Sequence, residues 1–591
     1  MSRQRPPGLR RRALLATPLA APLAAPIAAI WGLAACGRDE AALVGGWLDD
    51  SATRGHRLLQ TDKVSAQSTE PQRCAVAVVG AGVAGLAAAR ALMQAGVDDL
   101  VVFDLEDEAG GNARGHSMGG LACPRGAHYL PMPGPHAHEV RDWLFELGLL
   151  RTHLGRTVAD ERHLCHSPQE RLWMDGQWVD GVVPPAAPGS SRLLQYQRFS
   201  KLVQEASRNL GFAMPSQRAP WRAGHAALDA VTFAHWLNQQ GLRDPGLRWY
   251  LDYCCRDDYG ANADAVSAWA GLHYFGSRHG FAASAEELPE RDAVFTWPEG
   301  NSWLTRRLAA PLGERLRTGQ LVRRIDVQRH GVELQVLPVG ATTPSAGGAG
   351  PQTWIAQQVV VALPLHVARR LISPAPAALA PAAELIQHAP WLVANLQLDG
   401  PLTDKPGAPP SWDNVLYGDD GAAPTGDAAY TLGYVDAMHQ SLRPVPGPTV
   451  LTAYWALGAR ALGTGTLGAG ASGDSSNANA LAQRQALHTQ PWQFWAQRVV
   501  NDLSRAHPDL PRRTQRIDLV RYGHAMAMPA PGVRGSVASQ ALAAPADAPR
   551  LQFAHSDLAG YSVFEEAFTL GHQAGQTAAR RLHGAGLRRA G

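Results

Sequence analysis

Residues Ala75 to Gly111 read AVAVVGAGVAGLAAARALMQAGVDDLVVFDLEDEAGG. A short apolar strand enters a glycine turn, a helix of small residues follows, and a second strand ends in an acid before a Gly-Gly pair. Gly80 permits the sharp exit from the strand, Gly82 lets backbone N–H groups approach a pyrophosphate, and Gly85 lets the helix pack closely on the sheet. Ala84 belongs to the same phosphate-facing turn. The unpaired N–H groups and dipole of the helix N-terminus favour the negative charge placed there. Asp104 closes the strand LVVFD at the distance where an acid accepts hydrogen bonds from ribose hydroxyls. A glycine triplet alone is a weak signal, but strand, helix and acid together predict a dinucleotide site.

Working outward, Asp104 is followed six residues on by Gly110-Gly111, then by Asn112 and Arg114. Trp297-Pro298-Glu299-Gly300-Asn301 precedes Trp303-Leu304, and Leu321-Val322-Arg323-Arg324-Ile325 and Val359 to Pro364 read as later strands. Near the end stand Phe553-Ala554-His555-Ser556-Asp557 and Phe564-Glu565-Glu566-Ala567. Together these motifs resemble the flavin-containing amine oxidase superfamily, which includes monoamine and polyamine oxidases, protoporphyrinogen oxidase and phytoene desaturases. The resemblance covers roughly residues 73 to 585, densely at both ends. It implies FAD as cofactor, with Val322 on the strand that meets adenine, and Asp557, Phe564 and Glu565 in the closing flavin motif. Asn112 departs from the family pattern, which has arginine after the Gly-Gly pair.

The implied architecture is α/β: a Rossmann-type FAD-binding domain, parallel-stranded and discontinuous in sequence, with an interleaved α+β substrate domain. Its FAD-binding parts are expected at 73–135, 291–365 and 516–591, and its substrate parts at 136–290 and 366–515. Helical patterns span Val140 to Leu150 and Phe233 to Leu237. Strand alternation runs around Trp391 to Leu398, Tyr430 to Ala437 and Val450 to Trp455. Gly340 to Gly350 reads as a surface loop, and Gly463 to Ala480, rich in Gly, Ser and Ala, as a disordered one.

Before the nucleotide motif, Arg10-Arg11-Arg12 precedes an Ala- and Leu-rich run that ends in Leu33-Ala34-Ala35-Cys36. Charged region, apolar run and final box predict a signal peptide over 1–36, with Cys36 lipidated, and a linker over 37–72. Pro18, Pro22 and Pro26 argue against a permanent span. A twin-arginine export route suits a protein that must fold around its cofactor before transport. The expected location is the periplasmic face of a bacterial membrane, held by the lipid.

The 591 residues, 45% hydrophobic and 18% charged, suffice for a large multidomain enzyme. A net charge of +3, with no basic run interleaved with aromatics, argues against a nucleic-acid partner. Beyond Cys36, five cysteines remain without CxxC spacing, which gives neither a disulfide framework nor a zinc site; no metal is expected. Cys254-Cys255 reads as buried packing.

The flavin would carry the hydride chemistry, and the protein would choose the substrate. Amine oxidases of the superfamily often hold a water on the flavin with a lysine. This chain has only Lys63, Lys201 and Lys405, and Arg369 and Arg370 occupy the segment where that lysine is expected. Candidate catalytic residues are His524, His128 and Asp257. His524 lies in Arg521 to Met526 before the closing motif, and His128 in Gly126-Ala127-His128-Tyr129. Asp257 belongs to the polar cluster Tyr253, Arg256, Asp257, Asp258 and Tyr259, whose acids would serve as counter-charges to a cationic amine. Aromatics drawn from Tyr561, Phe564 or Trp412 would flank the flavin. Three readings stand: an amine oxidoreductase, a desaturase or dehydrogenase of an apolar substrate with an acceptor other than oxygen, and a non-catalytic envelope lipoprotein.

Overall fold

The computed structural model describes residues 43–48, 51–59, 70–278, 280–282, 293–339, 351–417, 430–441, 443, 445–458 and 474–587. Cys36 and the Gly340 to Gly350 loop lie outside them. In chain order, β1 (Gly45–Trp47) precedes β2 (Gln72–Val79), α1 (Val83–Gln94) and β3 (Leu100–Phe103). β4 (Glu170–Met174), β5 (Gln177–Asp180) and α2 (Pro245–Tyr259) come next. β6 (Leu316–Arg317), β7 (Gln320–Val327), β8 (Val332–Pro338), β9 (Gln352–Val361), α3 (Leu365–Leu371) and β10 (Ile372–Ser373) follow. The rest comprises β11 (Gln387–Leu398), β12 (Asp413–Leu416), β13 (Thr431–Asp436), β14 (Thr449–Ala456), α4 (Asp474–Thr489), β15 (Thr514–Met528), β16 (Leu551–Phe553) and α5 (Phe564–Leu587).

The nucleotide sheet has the order β6-β3-β2-β9-β8-β7-β10, with β16 also on β9. Its central strands β3, β2, β9 and β16 are parallel. Val76 to Val79 and Val359 to Val361 are buried, as a parallel sheet covered on both faces requires. Small residues let α1 and α5 meet closely. A Cβ on Gly571 of α5 would stand 2.0 Å from the Ala84 carbonyl oxygen of α1.

The second sheet has the order β1-β15-β11-β14-β13-β12-β4-β5. Its strand β11 has two differently used faces. Ala389, Trp391 and Val393 pack with the substrate-domain helices, whereas Leu392, Ala394, Leu396 and Leu398 pack on the other side with Trp495 and Val499. Opposite it, β15 carries a bulge: between the pairs Ala389↔Met526 and Trp391↔Tyr522, Pro390 alone faces Gly523, His524 and Ala525.

The strands foreseen at 391–398, 430–437 and 450–455 are present as β11, β13 and β14, and a helix covers Phe233–Gln239. Four boundaries differ. Residues 516–528, expected in the last nucleotide segment, run through the substrate sheet as part of β15, so the return to the nucleotide sheet comes with β16. The 37–72 linker contains β1, parallel to β15 at the sheet edge. The Gly463 to Ala480 reading fails at its end, where α4 begins at Asp474 in an alanine-containing run that favours helix. The helix expected over Val140 to Leu150 spans His138–Glu146, because Gly148 takes φ +72° and Leu150 opens a strand.

Candidate active site

The nucleotide cradle is built from bare backbone. Gly80 has φ +100°, and a Cβ there would meet the Ala362 carbonyl oxygen at 2.4 Å. Gly82 caps α1 with no side-chain hydrogen bond, leaving the first-turn N–H groups for a ligand. Gly110 and Gly111 have φ +127° and +57°, and a Cβ on Gly111 would lie 3.2 Å from the Gly82 Cα. Two side-chain-free loops therefore face each other beside a helix N-terminus, which fits a dinucleotide pyrophosphate.

The acid of this motif does other work than expected. Asp104 is buried: its Oδ2 accepts from the Ala81 N–H at 2.6 Å and its Oδ1 from the Glu106 N–H at 2.8 Å. It braces the glycine turn from within, and burial raises its pKa to about 6. Arg114 is also buried, donating to the Gly111 carbonyl at 3.0 Å and pairing with Glu106 at 3.0 Å. Asn112 Nδ2 donates to the Ala525 carbonyl at 2.8 Å, which ties the Gly-Gly loop to β15. Val322 is buried in β7, whose Gln320 N–H donates to the Asp104 carbonyl, so the strand begins at the tip of β3.

From this cradle the chain leads directly to an aromatic box. The Ala127 N–H donates to the Asn112 carbonyl at 2.9 Å. Tyr522 and Tyr454, rising from the sheet floor, donate to the carbonyls of Arg125 and Gly126, each at 2.9 Å. Gly300, at φ +62°, fits against the Ala127 carbonyl and His128 Cα, where any Cβ would clash. Asn301 Nδ2 donates to the Tyr129 carbonyl at 2.8 Å. His128 is thereby held stacked on Tyr454 at 4.5 Å between ring centroids, with Trp412 at 5.4 Å and Tyr129 at 4.9 Å. Burial lowers its pKa to about 3, so its imidazole stays neutral.

Beyond the box lies a group of carboxylates. Glu170 and Asp413 are direct neighbours in the parallel pairing of β4 and β12, an unfavourable position for like charges. Asp257 joins them from α2, and its Oδ2 accepts from the Tyr129 hydroxyl at 3.4 Å. Burial and then Asp258 push Asp257 up to about 7, while burial, Glu170 and Asp257 push Asp413 well above the ordinary carboxylate range. Tyr253 also bonds Asp413. Asp257 and Asp413 are half-buried, and Tyr253, Trp412 and Tyr454 around them are buried. Aromatic faces and carboxylates are the groups that suit a bound cation.

Other expected site residues lie elsewhere. Asp258 is held by Arg278 through two bonds of 3.0 and 3.1 Å, and Arg256 is buried beside Asp252 and donates to the Thr431 carbonyl. Tyr259 is buried and donates to Ala270. Tyr561 is buried and donates to Glu566, and Phe564 stacks on Trp143 in the nucleotide core, so of the three aromatics proposed to flank the flavin only Trp412 lines the box. Glu565 is buried at the start of α5, and its pKa is raised to about 7 by burial. His524 sits in the β15 bulge, exposed, with its ring against His366 and His388 rather than in the aromatic box. Asp557 is 0% exposed: its carboxylate accepts from the Leu365 N–H and pairs with His388, and its own N–H donates to His555 Nδ1 at 3.1 Å. Arg369 and Arg370 lie on the exposed side of α3, where Arg369 pairs with Glu384, so neither replaces the missing lysine. Cys254 and Cys255 are buried free thiols. Glu170 and Asp413 were not foreseen. The available signal was an acid opening each of the short strands ERLWM and DNVL, a place where Asp and Glu are disfavoured.

Comparison with known proteins gives a consistent result. The family profile of flavin containing amine oxidoreductases matches residues 83–465. The AofH protein of Mycobacterium tuberculosis, whose name is that of a flavin-containing monoamine oxidase, is 28% identical over 277 residues; the match covers 46% of this chain and 55% of that relative. The chain thus spans about half the length of this curated relative. Among solved structures, a redesigned putrescine oxidase superposes with a TM-score of 0.59 at 16% identity, covering 87% of this chain and all of that one. Cyclohexylamine oxidase from Brevibacterium oxydans gives a TM-score of 0.57 at 17% identity, over 86% of this chain and 99% of its own. These two share the α/β fold.

Proposed function

Because the chain belongs to the family of flavin-containing amine oxidoreductases, we propose that it oxidises a cationic amine seated among Glu170, Asp257 and Asp413. The observation that carries this reading is the like-charge pair Glu170 and Asp413, joined by Asp257, at the end of the aromatic box that starts from the nucleotide cradle. Gly80, Gly82, Gly110 and Gly111 would hold the FAD pyrophosphate. FAD, when bound, accepts a hydride from the carbon next to the amine nitrogen.

The side chains supply the remainder. Asp413 and Glu170 hold the ammonium charge of the substrate, and the faces of Tyr129, Trp412 and Tyr454 enclose its carbon chain. His128, neutral in its box, spaces the substrate from the cradle without adding a repelling charge. Asp257, titrating near neutrality, accepts a proton at Oδ2 when the amine is prepared for oxidation. Packed aromatics keep bulk water from the reacting carbon.

Anaerobic mixing of the purified flavoprotein with monoamines, diamines and lipophilic alkenes tests this reading. Bleaching of the oxidised-flavin band by amines supports it, and bleaching by the lipophilic compounds alone would establish the desaturase reading instead. No lysine stands in β11 or β15, which favours an electron acceptor other than oxygen; slow reoxidation in air is the expected sign. We also propose export as a lipoprotein anchored through Cys36, on the strength of the N-terminal sequence pattern. Among the described residues no helix is long and apolar enough to cross a membrane.

A further inference from the structure

We propose that His366, His388 and Asp557 bind a divalent first-row transition-metal ion, of the zinc class, at the junction of the nucleotide layer and the substrate sheet. One ligand atom from each of the three residues lies within 4.8 Å of the others. His388 Nε2 is 3.0 Å from Asp557 Oδ1. His366 Nδ1 is buried and has no hydrogen-bond partner, an unfavourable state for a polar atom that a bound ion would remove. Two imidazoles and one carboxylate suit zinc, iron or copper better than magnesium or calcium, which prefer all-oxygen sites.

The surroundings orient these ligands. Asp557 Oδ2 accepts from the Leu365 N–H at 2.8 Å, and its Oδ1 is also 3.1 Å from His555 Nδ1, so the carboxylate is fixed by groups outside the ligand set. The His524 ring covers His366 at 4.4 Å between centroids, nearly parallel at 25°. Arg484 of α4 spends its donors on the carbonyls of Gly523 and His388, which fixes the β15 bulge and the start of β11. The ligands come from three separate places: α3, β11 and the turn after β16. His388 alternates with Ala389, whose side chain faces the substrate helices, so the three ligands lie on the other face of β11 from those helices. An ion here would clamp α3 and the Asp557 turn to the substrate sheet. Nothing in the proposal depends on amine oxidation.

The test uses the full-length flavoprotein, stripped with chelator, dialysed against Zn(II) alone, desalted and analysed for zinc and flavin separately. One zinc per chain is expected, with a higher melting temperature than the stripped protein. His366→Ala, which removes a ring that makes no hydrogen bond, and His388→Ala should each weaken zinc retention at least about tenfold, with flavin content unchanged in His366→Ala. Absence of zinc in the dialysed wild type, or zinc retention in both variants equal to that of wild type, would overturn the proposal.

Discussion

At the residue scale, Asp257 is the group whose chemistry is most exposed to test. Its pKa in the folded chain is about 7 against an ordinary 3.8. Between those values the folded protein keeps a proton that the unfolded chain has released, so stability falls as pH rises through the window and levels off above it. Asp257→Asn removes that slope, and its melting temperature should gain on wild type as pH is raised from acid to neutral. Function runs in the opposite sense. On the proposed reading the carboxylate form would hold the cationic amine, so kcat/KM should rise through about pH 7 in wild type and lose this limb in Asp257→Asn. His524 gives the contrasting case: lying at the bulge and away from the aromatic box, His524→Ala should keep kcat/KM within about twofold of wild type. Sequence alone offered both as catalytic candidates, His524 before the closing flavin motif and Asp257 in a polar cluster of the substrate domain. What separates them is the displacement of Gly523 to Ala525 by the β15 bulge, a tertiary feature that has no local signature.

At the element scale, the contact between α1 and α5 decides whether the cradle is held in shape. Both helices are built to touch backbone to backbone, and α1 begins at the pyrophosphate-facing turn. Gly571→Ala would force a methyl to 2.0 Å from the Ala84 carbonyl oxygen. The helices must separate, at a cost of about 1–3 kcal/mol in unfolding free energy, and the chain should retain less flavin on gel filtration. Denaturant unfolding together with the flavin-to-protein absorbance ratio checks both effects. This part of the fold was legible because turn chemistry, helix spacing and apolar strands are local properties of Ala75 to Gly111. The role of Asp104 was not: a glutamate would reach past the turn, whereas the shorter aspartate folds back on the Ala81 N–H.

For the whole molecule, one sheet bears the glycine loops and the other carries the aromatic box and the acid group. That acid group exists only through the pairing of β4 with β12 and the approach of α2, which bring together Glu170, Asp257 and Asp413 from distant parts of the chain. Periodicity announced β11, β13 and β14 but neither β4 nor β12, so Asp257 was visible as a candidate and its two partners were not. Export belongs to this scale too. Cys36→Ser should release the protein from the membrane fraction to the soluble one in a bacterial host that processes lipoproteins, as read by immunoblotting of fractions.

The central claim, that the carboxylates beyond the aromatic box select a cationic amine, is met most directly by rapid anaerobic mixing of the flavoprotein with a linear diamine and with the matching monoamine. Wild type should be reduced faster by the diamine at low concentration. The Asp257→Asn/Asp413→Asn double variant should retain its flavin and lose that preference, with KM for the diamine raised at least about tenfold. Equal reduction of wild type and double variant by the diamine, with unchanged KM, would contradict the account.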